Sequence, residues 1–298
     1  MPDIKVRPAR PEDREPVLAF CAHTWDDGDY IEHVWDEWLG NPAGQLIVAT
    51  VDEQPAALVH IEMLTSDEAW LEGLRVAPEF RRQGLAREVN QAALAEAMRR
   101  GATYVRMAIS HVNERSQQIS ESAHFRRVGA FLPFSIQPDI EQVTRLSGID
   151  KPRLATIEDL DDIINFMNAS NVFPIVGGLY YVRFRAYAIS AELLEEKIKA
   201  QQVYLLHRWE RLDGLAIVET REQPSPHLSV GYIDGTAIEP ISLLANDIMQ
   251  RALELEFDKV RIYVPDLVIM RDAFAGIGSE EAISENSEVY YIYERGLF

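Results

Sequence analysis

Leu71-Glu72-Gly73-Leu74-Arg75-Val76-Ala77-Pro78-Glu79-Phe80-Arg81-Arg82-Gln83-Gly84-Leu85-Ala86 is the stretch on which the fold turns. An apolar strand pattern ends at Val76, Pro78 turns the chain, and Gly84 opens a long amphipathic run, 84–100. Val89, Ala93, Leu94 and Ala97 fall on one side of that run, as a helix packed on a core requires. The first N–H groups of a helix have no partner within it and carry the positive end of its dipole. Such a turn suits an anion. Gly84 lets a phosphate come close to the backbone, Ala86 keeps the next position small, and Arg81, Arg82 and Arg87 offer charge-assisted contacts.

Outward from this turn, strand-like runs precede it at 45–51, 56–63 and 69–76, and another follows at 104–109. A second helix is predicted over 114–127, with late strands at 131–136 and 142–146. Upstream, a strand at 4–9 leads into a helix carrying Val17, Leu18 and Phe20. The same order then returns about one domain length later. A strand at 152–156 leads into a helix with Leu160, Ile163, Ile164 and Met167 at helical spacing. Strands follow at 203–207, 214–220 and 228–233, then a helix at 241–257, a strand at 259–264, a short helix at 267–274 and a strand at 288–293. Several strands before the main helix and few after it predict an α+β fold. Each half should be a mixed, mostly antiparallel twisted sheet flanked by helices. The joint falls at Ser147-Gly148-Ile149-Asp150-Lys151-Pro152, which divides the chain into domains 1–147 and 148–298.

Composition bounds the function. The 298 residues carry a formal net charge of -19, which opposes binding to a nucleic-acid duplex unless a strong basic patch compensates. The one cluster, Arg81-Arg82 with Arg87, is too short for such a track and suits one phosphorylated small molecule. No charge-free stretch is long enough to span a bilayer. The N-terminus lacks the order of a secretory signal, and the single Cys21 cannot form an internal disulfide. A cytoplasmic protein with no membrane or nucleic-acid partner is the expectation, with a homodimer as its oligomeric form. Cys21 lies in a helix-like run and reads as a buried apolar residue, not a nucleophile.

Arg81-x-x-Gly84-x-Ala86, behind a strand ending in Val76-Ala77-Pro78-Glu79, resembles the acetyl-CoA signature of the GCN5-related N-acetyltransferase (GNAT) superfamily. The resemblance covers the first half of the chain. It implies acetyl-CoA held by the turn residues Arg81, Arg82, Gln83, Gly84, Leu85, Ala86 and Arg87, with the pantetheine arm beside the backbone of Leu74, Arg75 and Val76. It also implies a pantetheine contact for Asn113; an N-cap ahead of Glu114 is an equal reading of that residue, and the two are compatible. The implied reaction is direct attack of an amine on the thioester within a ternary complex.

That reaction needs a base for the ammonium, donors for the carbonyl oxygen and an acid for the thiolate. Glu72 occupies a position where several family members carry a Glu, which implies the base; Glu62 is the reserve. A carboxylate bonded to a neighbouring strand, paired with Arg75 or Arg106, is the structural alternative for Glu72. The acid usually implied is a Tyr four residues before the glycine after the second helix. Here that glycine is Gly129 and the residue is Phe125, which has no proton to donate. Adjacent His124 would point elsewhere on a helix.

On the acceptor side, Trp25, Asp26, Asp29 and Tyr30 are read as lining a pocket for a small cation, and Trp35 and Trp38 as core. The run from Asp29 to Leu39, with 72–78, is similar to the histidine N-acetyltransferase branch, implying a free amino acid as acceptor. Asp26-Asp27-Gly28-Asp29 lacks the distal Glu of a calcium loop, so no metal is expected. In the second half, Asp234-Gly235-Thr236-Ala237-Ile238-Glu239-Pro240-Ile241 has no counterpart of the signature, and Glu239 would repel a pyrophosphate. A degenerate repeat without acetyl-CoA binding is the reading, with an unrelated α+β domain as the alternative. The competing readings are a protein N-acetyltransferase, a non-catalytic acyl-CoA-binding regulatory module and a scaffold with a vestigial site.

Overall fold

The structure, a computed structural model, describes residues 2–22, 28–145, 147–221, 226–277 and 288–298. The chain begins β1 (Ile4–Pro8), α1 (Arg14–Cys21), α2 (Ile31–Gly40), β2 (Gly44–Val51), β3 (Gln54–Met63) and β4 (Glu68–Val76). It continues with α3 (Leu85–Arg99), β5 (Tyr104–Ser110), α4 (Glu114–Ser122) and β6 (Arg126–Ile136). Then come β7 (Arg153–Leu154), α5 (Leu160–Ala169), β8 (Leu179–Val182), β9 (Arg185–Ala188), α6 (Ala191–Lys199), β10 (Val203–Arg208), β11 (Arg211–Arg221) and β12 (His227–Gly235). The last elements are α7 (Ile238–Glu254), β13 (Lys259–Val264), α8 (Val268–Ala275) and β14 (Tyr290–Gly296).

Two compact units result. The first takes Met1–Met107, Gln118–Arg126 and Tyr293–Phe298, and the second takes Ala108–Gln117 and Arg127–Ile292. In the first, β1 to β4 pair antiparallel in sequence order and β4 pairs β5 parallel. In the second, the order is β6-β13-β12-β11-β10-β7, with only β12 and β13 parallel. Both are mixed, mostly antiparallel sheets in which a long helix, α3 or α7, connects the two parallel strands, a mixed plan as expected from sequence.

Local chemistry explains the elements. Asp52 and Glu53 both adopt positive φ, so β2 and β3 join in a two-residue turn whose twist matches the strands. On α3, Leu85, Val89, Ala93, Leu94 and Ala97 are buried. Each such side chain contributes roughly 1–3 kcal/mol, with alanine at the low end. The duplication is visible in one repeated device. Arg7 holds both oxygens of Asp13 at 2.6 and 2.8 Å, and Arg153 holds Asp159 at 2.8 and 2.6 Å. In each case the aspartate also accepts a backbone N–H three residues back, from Arg10 or Thr156, at 2.7 Å.

Three expectations need correction. The helix predicted over 114–127 stops at Ser122. His124 turns left-handed (φ 64), and the N–H groups of His124 and Phe125 close on Glu121 and Ser120. Phe125 therefore sits in a turn ahead of β6, not on a helix. The strand predicted at 142–146 does not form over 142–145, and Leu146 lies outside the described residues. There the backbone of Thr144 is satisfied by the carboxamide of Asn246 on α7, at 3.0 and 2.5 Å. Finally, the β8–β9 hairpin and α6 went unread. The hairpin turn, Arg183-Phe184, uses positive φ at residues that carry no turn signature.

Candidate active site

The site is built on an irregularity in β4. Leu58 pairs with Arg75, but the next registered pair is His60 with Glu72, so Gly73 and Leu74 together face Val59. This is a β-bulge, with Gly73 at φ +73. Cross-strand partners share a face, and so do residues two apart. Leu58 and His60 therefore place Arg75 and Glu72 on one face, although three positions along a regular strand would oppose them. Any side chain at Gly73 would collide with Trp38, since a Cβ there would lie 2.6 Å from Cη2 of that indole.

On this face the His60 imidazole is completely buried, and its Nδ1 lies 3.2 Å from Oε1 of Glu72. Trp38, from α2, stacks on His60 with 4.5 Å between centroids and 6° between planes. Tyr30 meets Trp38 edge-on at 6.0 Å. The Arg75 guanidinium stands 5.4 Å from the Tyr30 ring centre. It donates to both oxygens of Asp29, at 2.7 and 3.2 Å, and to the Leu74 carbonyl at 3.0 Å. Glu62 accepts from Nδ2 of Asn41 at 2.9 Å. One ligand atom from each of His60, Glu62 and Glu72 lies within 4.8 Å of the others, a donor set with which a cation is compatible. The sequence reading expected no metal and did not consider this group.

The sequence-derived candidates thus separate. Glu72 is partly exposed and pairs with His60, where Arg75 or Arg106 was the expected structural partner. Arg75 is bound to Asp29, and Arg106 to Glu68 and Glu294 at 2.7 Å each. The carboxylate of Asp29 is 2% exposed and engaged with Arg75, so it is not presented to a pocket. Tyr30 keeps an exposed ring. Trp35 and Trp38 are buried, as expected. Trp25 and Asp26 lie outside the described residues. Desolvation, with Asp29 next, pushes the Cys21 thiol up to about 12, which fits a buried apolar role. His60 was missed, although alternation along β3 already set it beside Glu62 on one face.

At the other end of β4, Leu74, Arg75 and Val76 form the strand's last turn toward α3. The registered pairing of β4 with β5 runs from Glu68 to Trp70 and stops, while β3 pairs on to Val76. Gly84 is the N-cap of α3 at φ +85, with no side-chain cap, and no atom lies within 4 Å of where its Cβ would stand. Arg81, Arg82, Gln83 and Arg87 are exposed around it, and Arg82 is itself left-handed at φ 65. Leu85 anchors the helix start in the core, and Ala86 is half-buried. This is an open, uncapped helix start with three nearby guanidinium groups.

Residues 12–125 match the model of the acetyltransferase (GNAT) family. They form a GNAT domain. No curated protein matches the sequence. Among solved structures, the chain is similar to an acetyltransferase-like protein of Thermoplasma acidophilum at 14% identity and TM-score 0.54, over 98% of this chain and 99% of that one. It is similar to a tandem GNAT protein from the clavulanic acid biosynthesis pathway at 14% identity and TM-score 0.53, over 99% of each chain. A GCN5-related N-acetyltransferase from Sphaerobacter thermophilus aligns at 12% identity and TM-score 0.57, over 99% of this chain and 96% of that one. At these identities the likeness is one of fold, and it runs the length of the chain as a tandem GNAT plan.

Two features bear on how this GNAT domain works. Asn113, in the second unit, accepts the Ser116 N–H at 3.1 Å and so caps α4. Phe125 is 2% exposed, an apolar core residue with no proton to give.

The second unit repeats the bulge without its chemistry. Ile217 pairs with Tyr232 and Val218 with Val230, leaving Gly231 as the extra residue of β12. A Cβ at Gly231 would run into the Tyr180 ring, as one at Gly73 would into Trp38. The pair matching His60 and Glu72 is thus Val218 and Val230. At the start of α7, Glu239 and Pro240 occupy the first turn, and a Cβ on the preceding Gly235 would stand 2.8 Å from Ile241. A carboxylate and close packing stand where the first unit leaves an open cradle.

Proposed function

We propose that the chain is an acetyl-CoA-dependent N-acetyltransferase of a small amine or amino acid, with one active site, in the first unit. The observation that carries this reading is the open helix start at Gly84, directly after the strand that bears Glu72. The first-turn N–H groups of α3, with Arg81, Arg82 and Arg87, fit a pyrophosphate, and the Leu74–Val76 backbone fits an amide-bearing arm laid along it. Acetyl-CoA is the cosubstrate these groups suit.

Glu72 takes a proton from the acceptor ammonium, either directly or through a water. The amine nitrogen then attacks the thioester carbon, the C–S bond breaks and the thiolate leaves. With Phe125 buried and apolar, the thiolate takes its proton from solvent. A positioned base contributes about 10²–10⁴-fold in such a step. The local acidity of Glu62 and Glu72 favours a cationic acceptor. A cytoplasmic setting, close to the acyl-CoA pool, belongs to the same reading.

Phe125 also favours a second reading, a regulatory module that binds acyl-CoA without turnover. Calorimetric titration of acetyl-CoA, with a folded Arg82→Glu/Gly84→Glu variant beside it, tests the common part. One site per chain, lost in the variant, is expected; two sites, or none, would sink it. Release of free thiol across a panel of amines then separates enzyme from module.

A further inference from the structure

His60 is placed as few buried histidines are. Its ring has no exposed surface, one face lies flat under Trp38, and Nδ1 points at Glu72. Nε2 is buried with no hydrogen-bond partner. Two glycines clear the space it needs. A Cβ on Gly44 would stand 2.6 Å from Nε2 of His60, and one on Gly73 would stand 2.6 Å from the indole above. A leucine in this slot would leave no polar atom unsatisfied, so packing alone gives no reason for an imidazole.

We propose that His60 is the positioning residue of Glu72, a role that rests on the acetyltransferase reading above. With its proton on Nδ1 it donates to Oε1 of Glu72. That bond fixes the orientation of the carboxylate that serves as the base. The tautomer follows from the surroundings. Nδ1 faces an acceptor, whereas a proton on Nε2 would be a buried donor with nothing to receive it. His60 neither takes nor passes the transferred proton. That proton goes from the ammonium to the Glu72 carboxylate and from there to solvent.

Glu62 lies beside the pair on β3, held by Asn41. Arg75, on β4, is neutralised by Asp29. Tyr30 stands edge-on to Trp38, and α2 brings that indole onto the imidazole. The second unit has valines at both matching positions, so the pair marks the unit that holds the cradle.

The test uses the full chain and two variants. His60→Leu removes the donor, and His60→Asn keeps a side-chain N–H near the position of Nδ1. With any amine that the wild type turns over, His60→Leu should lower kcat at least about tenfold, the lower end of what a well-placed base supplies. It should leave KM for acetyl-CoA within about twofold. His60→Asn should recover most of kcat. A spectroscopic arm needs no turnover. Long-range 1H–15N spectra of the wild type should show His60 protonated at Nδ1, and Glu72→Gln should displace that signal. An Nε2–H tautomer, or a His60→Leu variant with the kcat of the wild type, overturns the proposal. A correct tautomer in a protein that binds acetyl-CoA but acetylates no amine overturns the transferase reading, and this role with it.

Discussion

The Trp38 indole lies parallel to the His60 imidazole, 4.5 Å away, and the two rings hold their places because Gly73 has no side chain. Gly73→Ala would put a methyl group into the indole at a backbone φ of +73. The strain of left-handed alanine and the overpacking together should cost about 2–4 kcal/mol. Urea unfolding measures the loss. Activity should fall further than stability predicts, because the same shift moves His60 off Glu72. An alanine variant with wild-type stability would mean that the bulge is not held as described.

In the ion pair of Asp29 with Arg75 the carboxylate is 2% exposed and the arginine side chain 13%. Removing one partner strands the other charge, so Asp29→Ala should destabilise the chain by about 3–5 kcal/mol. The double variant Asp29→Asn/Arg75→Gln should be clearly more stable than Asp29→Ala. Equal losses in single and double variants, read from urea midpoints, would show that the pair acts through shape and not through charge.

Acid should find the two repeated clamps. Hydrogen bonds from Arg153 hold the Asp159 carboxyl well below the usual carboxylate range, against some desolvation. At Asp13 burial pushes upward, and the bonds from Arg7 and Arg10 outweigh it, so the net direction is also down. A carboxyl with a lower pKa folded than unfolded stabilises the fold above the unfolded value of about 4, and that contribution disappears as pH falls through the folded value. The stability gap between wild type and Asp13→Asn/Asp159→Asn should therefore be full at pH 6 and shrink below about pH 4. A gap that stays constant to pH 2 would refute this assignment.

Cys21 is 1% exposed and its thiol is raised to about 12, chiefly by desolvation. At pH 8 the folded protein should resist iodoacetamide, with labelling that tracks unfolding, and Cys21→Ala should leave acetyl-CoA titration unchanged. Rapid labelling of the native protein, read by intact mass, would contradict a buried thiol.

The stretch from Leu71 to Ala86 determined the place of the anion cradle, and the order of strand and helix patterns along the chain determined the class of fold and the repeat. Those rest on local rules: a strand period, a proline turn, a glycine at a helix start and arginines beside it. The Arg and Asp of the two clamps stand six positions apart in both halves, but their pairing was not read from the sequence. The absence of a Tyr at Phe125 was legible as well, though not the turn that holds Phe125, because the left-handed His124 carries no strong signal in its residue type. Tertiary structure alone decided the partners of the charged groups. Arg75 reaches Asp29 and Glu72 reaches His60 across 46 and 12 positions of chain. One inserted residue in β4 sets both pairings, because it turns Glu72 and Arg75 to the same face. Periodicity along a single strand would have put them on opposite faces.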